Sequence, residues 1–125
     1  PVTAPILREH RERFEAMREL GCLISRVFFR RPETPGTVHH ILDGGRRIGH
    51  HATLYLAAWY HQGQPPQVRR GGVVRQLTIE EATYTYGPSL EHDRQAFERR
   101  FAAEADLLAM QDELIAMFVS MRGAA

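Results

Sequence analysis

The chain has 125 residues, which is enough for one domain with a modest hydrophobic core and too few for two ordinary domains. Its 43% hydrophobic and 25% charged residues exclude a disordered or fibrous class, and no apolar run could span a bilayer or form a secretory signal, so we expect a cytoplasmic protein without a membrane partner. A net charge of +1 does not by itself indicate nucleic-acid binding, which depends on local clusters such as Arg30-Arg31, Arg46-Arg47 and Arg69-Arg70.

Residues 6–20 are predicted to form an amphipathic helix. Phe14 and Met17 belong to a set of apolar residues at the three- and four-residue spacing of one helical face, and Glu and Arg fill the other side. Pro5 stands where a helix can begin, and Gly21 stands where one commonly ends.

Short strands are predicted after this helix. Residues 22–29 (CLISRVFF) are rich in branched and aromatic side chains, which favours a strand. A turn over residues 31–36 leads to a second strand over residues 37–42, and Asp43-Gly44-Gly45 ends it. Residues 51–60 fit a strand or a helix equally well by local propensity.

The second half of the chain is predicted to be an irregular connection followed by helices. Residues 64–86 are predicted to be an irregular connection, because a high density of Gln, Pro and Gly up to residue 72 indicates an exposed loop. Residues 73–86 lack clear periodicity, although residues 76–79 could begin a strand or a short helix. Ser89 is a plausible cap for a helix that runs to about residue 103. A final helix over residues 104–121 is predicted to bury a stripe of apolar side chains, namely Leu107, Leu108, Leu114, Ile115, Phe118 and Met121.

Five of the seven histidines lie between positions 39 and 61: His39, His40, His50, His51 and His61. Adjacent side chains of a strand point to opposite faces, so His39 and His40 cannot share one task. One of them can hold a metal ion while the other addresses a water molecule. Neutral imidazole is both a good ligand for divalent metals and a general base near neutral pH. The cluster therefore indicates a metal-dependent hydrolytic site.

The segments around these histidines resemble a known family. They read GCLISR at residues 21–26, TVHHILDGGRRIGH at residues 37–50 and TLYLAAWYHQG at residues 53–63, and GPSLEH at residues 87–92 follows. Together they resemble the phage Ref family, the recombination enhancement function proteins, over roughly residues 6–115. Ref proteins are RecA-dependent HNH nucleases.

The resemblance implies an α+β fold in a single domain. A small ββα-metal (HNH) core would occupy residues 22–63. An N-terminal helix would precede it in residues 1–21, and an irregular connection over residues 64–86 would lead to two C-terminal helices in residues 87–125.

The resemblance also implies a role for each matched side chain. His39 and His61 would bind one divalent metal ion, magnesium or manganese, with zinc able to take its place. His40 would be the general base, and His50 would orient the base or the scissile phosphate. The implied function is a metal-dependent endonuclease that hydrolyses phosphodiester bonds of single-stranded or recombinase-bound DNA.

The resemblance further implies two partners, DNA and a RecA filament. Arg46 and Arg47 would contact DNA phosphates. His51 is set aside as the exposed neighbour of His50, and His92 as a solvated helix residue. Asp43, which precedes two glycines, fits a turn residue at least as well as a metal ligand.

The chain departs from the family at the structural zinc knuckle. Cys22 is the only cysteine, and the partner positions are Ser25, Ala57 and Tyr60, of which Ala and Tyr cannot replace a thiolate or imidazole ligand. We therefore predict no structural zinc. Two interpretations stay open. Aromatic packing has replaced the zinc in an active nuclease, or the chain is a catalytically inactive phage-type module that binds DNA or a host protein of defence or recombination. A third possibility is a domain whose helices mainly mediate self-association.

Overall fold

The structure, a computed structural model, describes residues 7–123. Within them the fold is α+β, as predicted, with helices and short antiparallel strands around a hydrophobic core. The helices are α1 (Arg8–Leu20), α2 (Leu23–Phe29), α3 (Ala58–Gln62), α4 (Ile79–Tyr86), α5 (Arg94–Arg100) and α6 (Glu104–Gly123). The strands are β1 (Thr37–His40), β2 (Leu42–Asp43), β3 (Arg46–Arg47), β4 (Thr53–Leu56), β5 (Gln67–Arg70) and β6 (Val73–Gln76). None of the helices in the described range is long and apolar enough to cross a membrane.

The amphipathic N-terminal helix is confirmed as α1. Its inward face buries Ala16, Met17 and Leu20, and the helix ends at Gly21 as the sequence indicates. The predicted start at Pro5 and Ile6 lies outside the described residues.

The strand predicted for residues 22–29 is wrong, because that segment forms α2. Cys22 caps the helix, and its Sγ accepts a hydrogen bond from the backbone N–H of Ser25 at 3.5 Å. Leu23 and Ile24 are buried in the core. Strand propensity is strongly context-dependent, and here burial of branched side chains on one helical face overrides it.

Strands β1 and β4 form an antiparallel ribbon, and α3 follows β4 almost directly. The register places His39 opposite Leu54 and His40 opposite Thr53. All four residues of β4 are buried, which anchors the ribbon in the core. The ambiguous segment over residues 51–60 therefore contains both a strand and the start of a helix.

The end of the predicted strand over residues 37–42 belongs to a separate hairpin. Ile41 links the two ladders, since its N–H donates to the carbonyl of Ala52 and its own carbonyl accepts the N–H of Ile48. Strand β2 then pairs with β3, with Leu42 opposite Arg47 and Asp43 opposite Arg46. Gly44 and Gly45 make the turn with φ of 60° and 81°, which favours glycine at both positions. The predicted role of Asp43 next to a turn agrees with this geometry.

The irregular connection predicted for residues 64–86 is also wrong, because it contains the β5–β6 hairpin and α4. Thr78 caps α4 in a capping box, in which Thr78 Oγ1 and the Glu81 carboxylate each accept a backbone N–H from the other residue. The glycines at positions 71 and 72, which indicated a loop, instead form the tight turn between two strands.

The C-terminal part begins later than predicted. Asp93, not Ser89, caps α5, since Asp93 Oδ1 accepts the backbone N–H of Ala96 at 3.0 Å. The hydroxyl of Ser89 instead accepts the backbone N–H of His92 at 3.1 Å and closes the preceding turn. Helix α6 agrees in extent with the final predicted helix, but of the apolar residues predicted to be buried only Leu107 is fully buried, and Met121 is 73% exposed. Two helices thus precede the β1–β4–α3 unit and three follow it, rather than one and two.

Helices α1 and α6 hold β4 from the sides through polar contacts. The Arg13 guanidinium donates to the backbone carbonyl of Thr53 and to the carboxylate of Asp112, both at 2.7 Å. The side-chain oxygen of Gln111, which is buried, accepts the backbone N–H of Tyr55 at 3.0 Å. These contacts join residues that are far apart in the sequence.

Replacing Leu54 by Ala is expected to lower the free energy of unfolding by about 2–5 kcal/mol, because the side chain is fully buried in β4. The matched control is Leu42→Ala, whose side chain is 55% exposed, and the expected change there is within about 0.5 kcal/mol. Urea unfolding followed by tryptophan fluorescence measures both. Equal losses would contradict the position of β4 in the core.

Candidate functional site

The β1–β4–α3 unit brings His39 and His61 together. His39 lies in β1 and His61 lies in the last turn of α3, and their ring centroids are 5.0 Å apart in an edge-to-face arrangement. Nδ1 of His61 lies 2.7 Å from Oγ1 of Thr37, within hydrogen-bond distance. A strand and a helix that are close in sequence therefore place two imidazoles at one location.

A carboxylate completes this cluster from the other end of the chain. Nε2 of His39 donates to Oε2 of Glu104 at 2.7 Å, and the Arg94 guanidinium contacts the other oxygen of Glu104. The side chains of His39 and Glu104 are only 14% and 18% exposed. Sequence reasoning missed Glu104, because nothing in the local pattern connects residues that are 65 positions apart.

His40 points to the other side of β1 and meets His50. Nε2 of His40 and Nδ1 of His50 are 3.2 Å apart, so one ring donates and the other accepts. The ring of His50 also packs against His10 and Phe14 of α1, with centroid distances of 5.2 Å and 5.7 Å. Helix α1 therefore supports His50 from behind, a contact that the sequence did not indicate.

Burial and neighbouring charges favour the neutral form of two of these imidazoles, His40 and His61. Burial lowers the pKa of His40, and the charge of Arg47 and the neighbouring histidines lower it further. Burial also lowers the pKa of His61, with a smaller effect from His39. The hydrogen bond from His39, with one from Arg94, lowers the pKa of Glu104. A neutral imidazole beside an ionised carboxylate can bind a cation or accept a proton.

The donor types suit a divalent cation, since imidazole and carboxylate are common metal ligands. His39, His61 and Glu104 lie together, and His40 is near enough for His39 and His61 to influence its pKa. Among residues 7–123, however, no three His, Cys, Asp or Glu side chains are already arranged to hold a metal ion. The predicted ligand pair is thus adjacent, and its metal binding stays a prediction.

Arg46 and Arg47 lie in the exposed strand β3, next to the histidines in sequence and, for Arg47, close enough to lower the pKa of His40. Their predicted contact with DNA stays a prediction. His51 is exposed, as expected, and its ring lies against Gly49. His92 is exposed but lies in a turn before α5 instead of a helix, and its Nε2 donates to the carbonyl of Gly63 at 2.7 Å.

The positions that correspond to the zinc knuckle surround a cavity. Ser25, Ala57 and Tyr60 line it, and its volume is about 630 Å³. The hydroxyl of Tyr60 donates to the carbonyl of Tyr86 at 2.7 Å, and burial followed by the nearby Cys22 raises the pKa of Tyr60. Aromatic side chains, Phe29, Trp59 and Tyr86 among them, also line this cavity, and the replacement of a metal by packing stays a prediction.

Replacing Arg47 by Gln is expected to raise the pKa of His40 toward its ordinary value of 6.5, because the guanidinium disfavours a second positive charge. NMR titration of the imidazole protons measures this shift. Since the pKa of His40 is lower in the folded chain, protonation of His40 destabilises the fold as the pH falls below 6.5.

The control is Arg46→Gln, because adjacent side chains of β3 point to opposite faces. We expect this variant to leave the pKa of His40 nearly unchanged. An equal shift in both variants would show that the local charge of Arg47 is not the cause.

A family model described as "Recombination enhancement, RecA-dependent nuclease" matches residues 7–116. No curated protein and no solved structure matches the chain. The matched range includes the histidines of β1 and α3 as well as Glu104, and it agrees with the resemblance seen in the sequence. Because the match covers far more than half of the sequence, the chain belongs to the recombination enhancement, RecA-dependent nuclease family.

Proposed function

We propose that the protein is a metal-dependent endonuclease of the HNH type, which hydrolyses phosphodiester bonds of single-stranded or recombinase-bound DNA. The observation that carries this proposal is the meeting of His39 and His61 on the β1–β4–α3 unit, with His40 on the same strand. Membership in a family of RecA-dependent nucleases supports the reaction class and a RecA-related partner.

His39 and His61 are the residues that would hold the divalent ion, magnesium or manganese with zinc as a substitute. Such an ion stabilises the negative charge that develops on the phosphate and on the leaving oxygen. Glu104 fixes the ring of His39 through the hydrogen bond at Nε2, in the way that carboxylates commonly orient metal-binding histidines. Arg94 holds Glu104 in turn.

His40 is the proposed general base. Its Nε2 is engaged by His50, which leaves Nδ1 to take a proton from the attacking water. The lowered pKa of His40 keeps this nitrogen unprotonated near neutral pH. His50, supported by Phe14, acts by orienting the ring of His40. Arg46 and Arg47 would bind the phosphates on either side of the cleaved bond.

One observation favours the alternative function, a catalytically inactive module that binds DNA or a host protein. The Glu104 carboxylate already engages Nε2 of His39, one of the two nitrogens by which that ring could bind a metal ion. A permanent hydrogen bond at this place would stabilise the fold without supporting hydrolysis. Measurements of metal binding and of DNA cleavage distinguish the nuclease from the inactive binding module.

The cleavage test compares wild type with His40→Ala on supercoiled and single-stranded DNA, with and without a RecA filament, in magnesium or manganese. Loss of the general base is expected to lower the cleavage rate by about 10²–10⁴-fold. His51→Ala is the matched control, because His51 is an exposed neighbouring histidine outside the proposed machinery. If wild type and His40→Ala leave every substrate equally intact, the protein is not this nuclease.

Metal binding is measured separately by calorimetric titration of the protein with Mn²⁺ in the absence of DNA. His61→Ala is expected to remove binding, since it leaves His39 as the single imidazole ligand. Glu104→Gln is expected to weaken binding by about 10–100-fold through its effect on the orientation of His39. His51→Ala again provides the control. Absence of Mn²⁺ binding by wild type would favour the inactive module.

A further inference from the structure

The β5–β6 hairpin is an exposed ribbon that the proposed reaction does not use. Gly71 and Gly72 form its two-residue turn with φ of 56° and 80°, the left-handed pair that a type I′ turn requires. A tight turn of this type makes the tip of the hairpin well defined in shape.

The tip carries arginine and valine side chains that face solvent. Val73 and Val74 are 66% and 48% exposed, and Arg69 and Arg70 are also exposed. The register pairs Arg69 with Val74 and Arg70 with Val73. Because neighbouring positions of a strand alternate between faces, Arg69 and Arg70 lie on opposite faces of the ribbon.

The hairpin itself carries three arginines and no acidic residue, and Glu80 and Glu81 of α4 line one cleft with Arg70 and Arg75. The sequence has no Asp or Glu from residue 62 to residue 78. Arg75 is neutralised by Glu81, to which its guanidinium donates two hydrogen bonds of 2.8 Å and 2.9 Å. The side chains of Arg69 and Arg70 make no hydrogen bond or ion pair with the other residues in the described range. Two cations at the tip are therefore available to an external anion.

We propose that the β5–β6 hairpin is a second DNA-binding element, which enters a groove of duplex DNA. This proposal rests on the proposed function, because it takes DNA as the ligand of the hairpin. The major groove of B-DNA is about 12 Å wide and admits a two-stranded ribbon. Arginines on both faces of such a ribbon can reach the phosphates on both walls of the groove, while the valines at the tip contact the bases.

The test measures binding of a fluorescent duplex and of one of its single strands by anisotropy, in EDTA so that no cleavage occurs. Arg69→Ala/Arg70→Ala is expected to weaken duplex binding about tenfold. It should also reduce the slope of log affinity against log salt by about 2, since each phosphate contact contributes about 0.9.

Arg11→Ala/Arg18→Ala provides the matched control, because it removes two exposed arginines from α1 and changes the net charge equally. Arg69→Lys/Arg70→Lys retains the charge and is expected to keep most of the affinity and of the salt slope. Thermal unfolding of each variant establishes that the fold is intact.

Duplex affinity of Arg69→Ala/Arg70→Ala equal to that of the control overturns the proposal and leaves an acidic protein surface as the ligand. A loss confined to the single strand overturns it as well. Binding in EDTA does not depend on catalysis. If the Arg69→Ala/Arg70→Ala variant binds duplex DNA more weakly but wild type does not cleave DNA, the nuclease proposal alone is refuted. If wild type cleaves DNA but the variant binds duplex DNA as well as wild type does, the hairpin proposal alone is refuted.

Discussion

The antiparallel pairing of β1 with β4 is the constraint on which the candidate site depends. Strand β4 is buried along its whole length, so its position is fixed by the core. The pairing places His39 opposite Leu54 and His40 opposite Thr53, and the alternation of the strand then sends the two imidazoles to different sides. A shift of one residue in this register would exchange those sides and separate His39 from both His61 and Glu104. The burial of β4 in the hydrophobic core thus determines the directions in which His39 and His40 of β1 point.

The sequence predicted those parts of the fold that depend on local periodicity. Helix α1 follows from its apolar spacing, and β1 from its position between turn signals. Helix α6 was predicted in extent, but its apolar side chains are not confined to one buried face. Helix α2 was missed because branched and aromatic residues have strand propensity, and only burial against β4 makes them helical. The β5–β6 hairpin carried a usable signal, since two glycines between valine-containing segments favour a type I′ turn.

The site was predictable to a similar, limited extent. Family resemblance identified the two histidine pairs, which the structure indeed brings together as His39 with His61 and His40 with His50. Glu104 could not be found, because its contact with His39 exists only after α6 has packed beside the ribbon. The support of His50 by α1 has the same origin. Contacts between distant segments depend on tertiary packing, which no local pattern encodes.

The long-range contacts of α6 have a consequence for the time at which the site forms during synthesis. Glu104 contacts His39 across 65 residues, and Asp112 contacts Arg13 across 99. A ribosome extends the chain at roughly 5–20 residues per second, with the N-terminal segments emerging first. The histidines therefore emerge several seconds before the carboxylate that orients His39 and the helix that locks β4. A nascent chain would carry its histidines without the carboxylate that orients His39, and the candidate site would be complete only after α6 has packed.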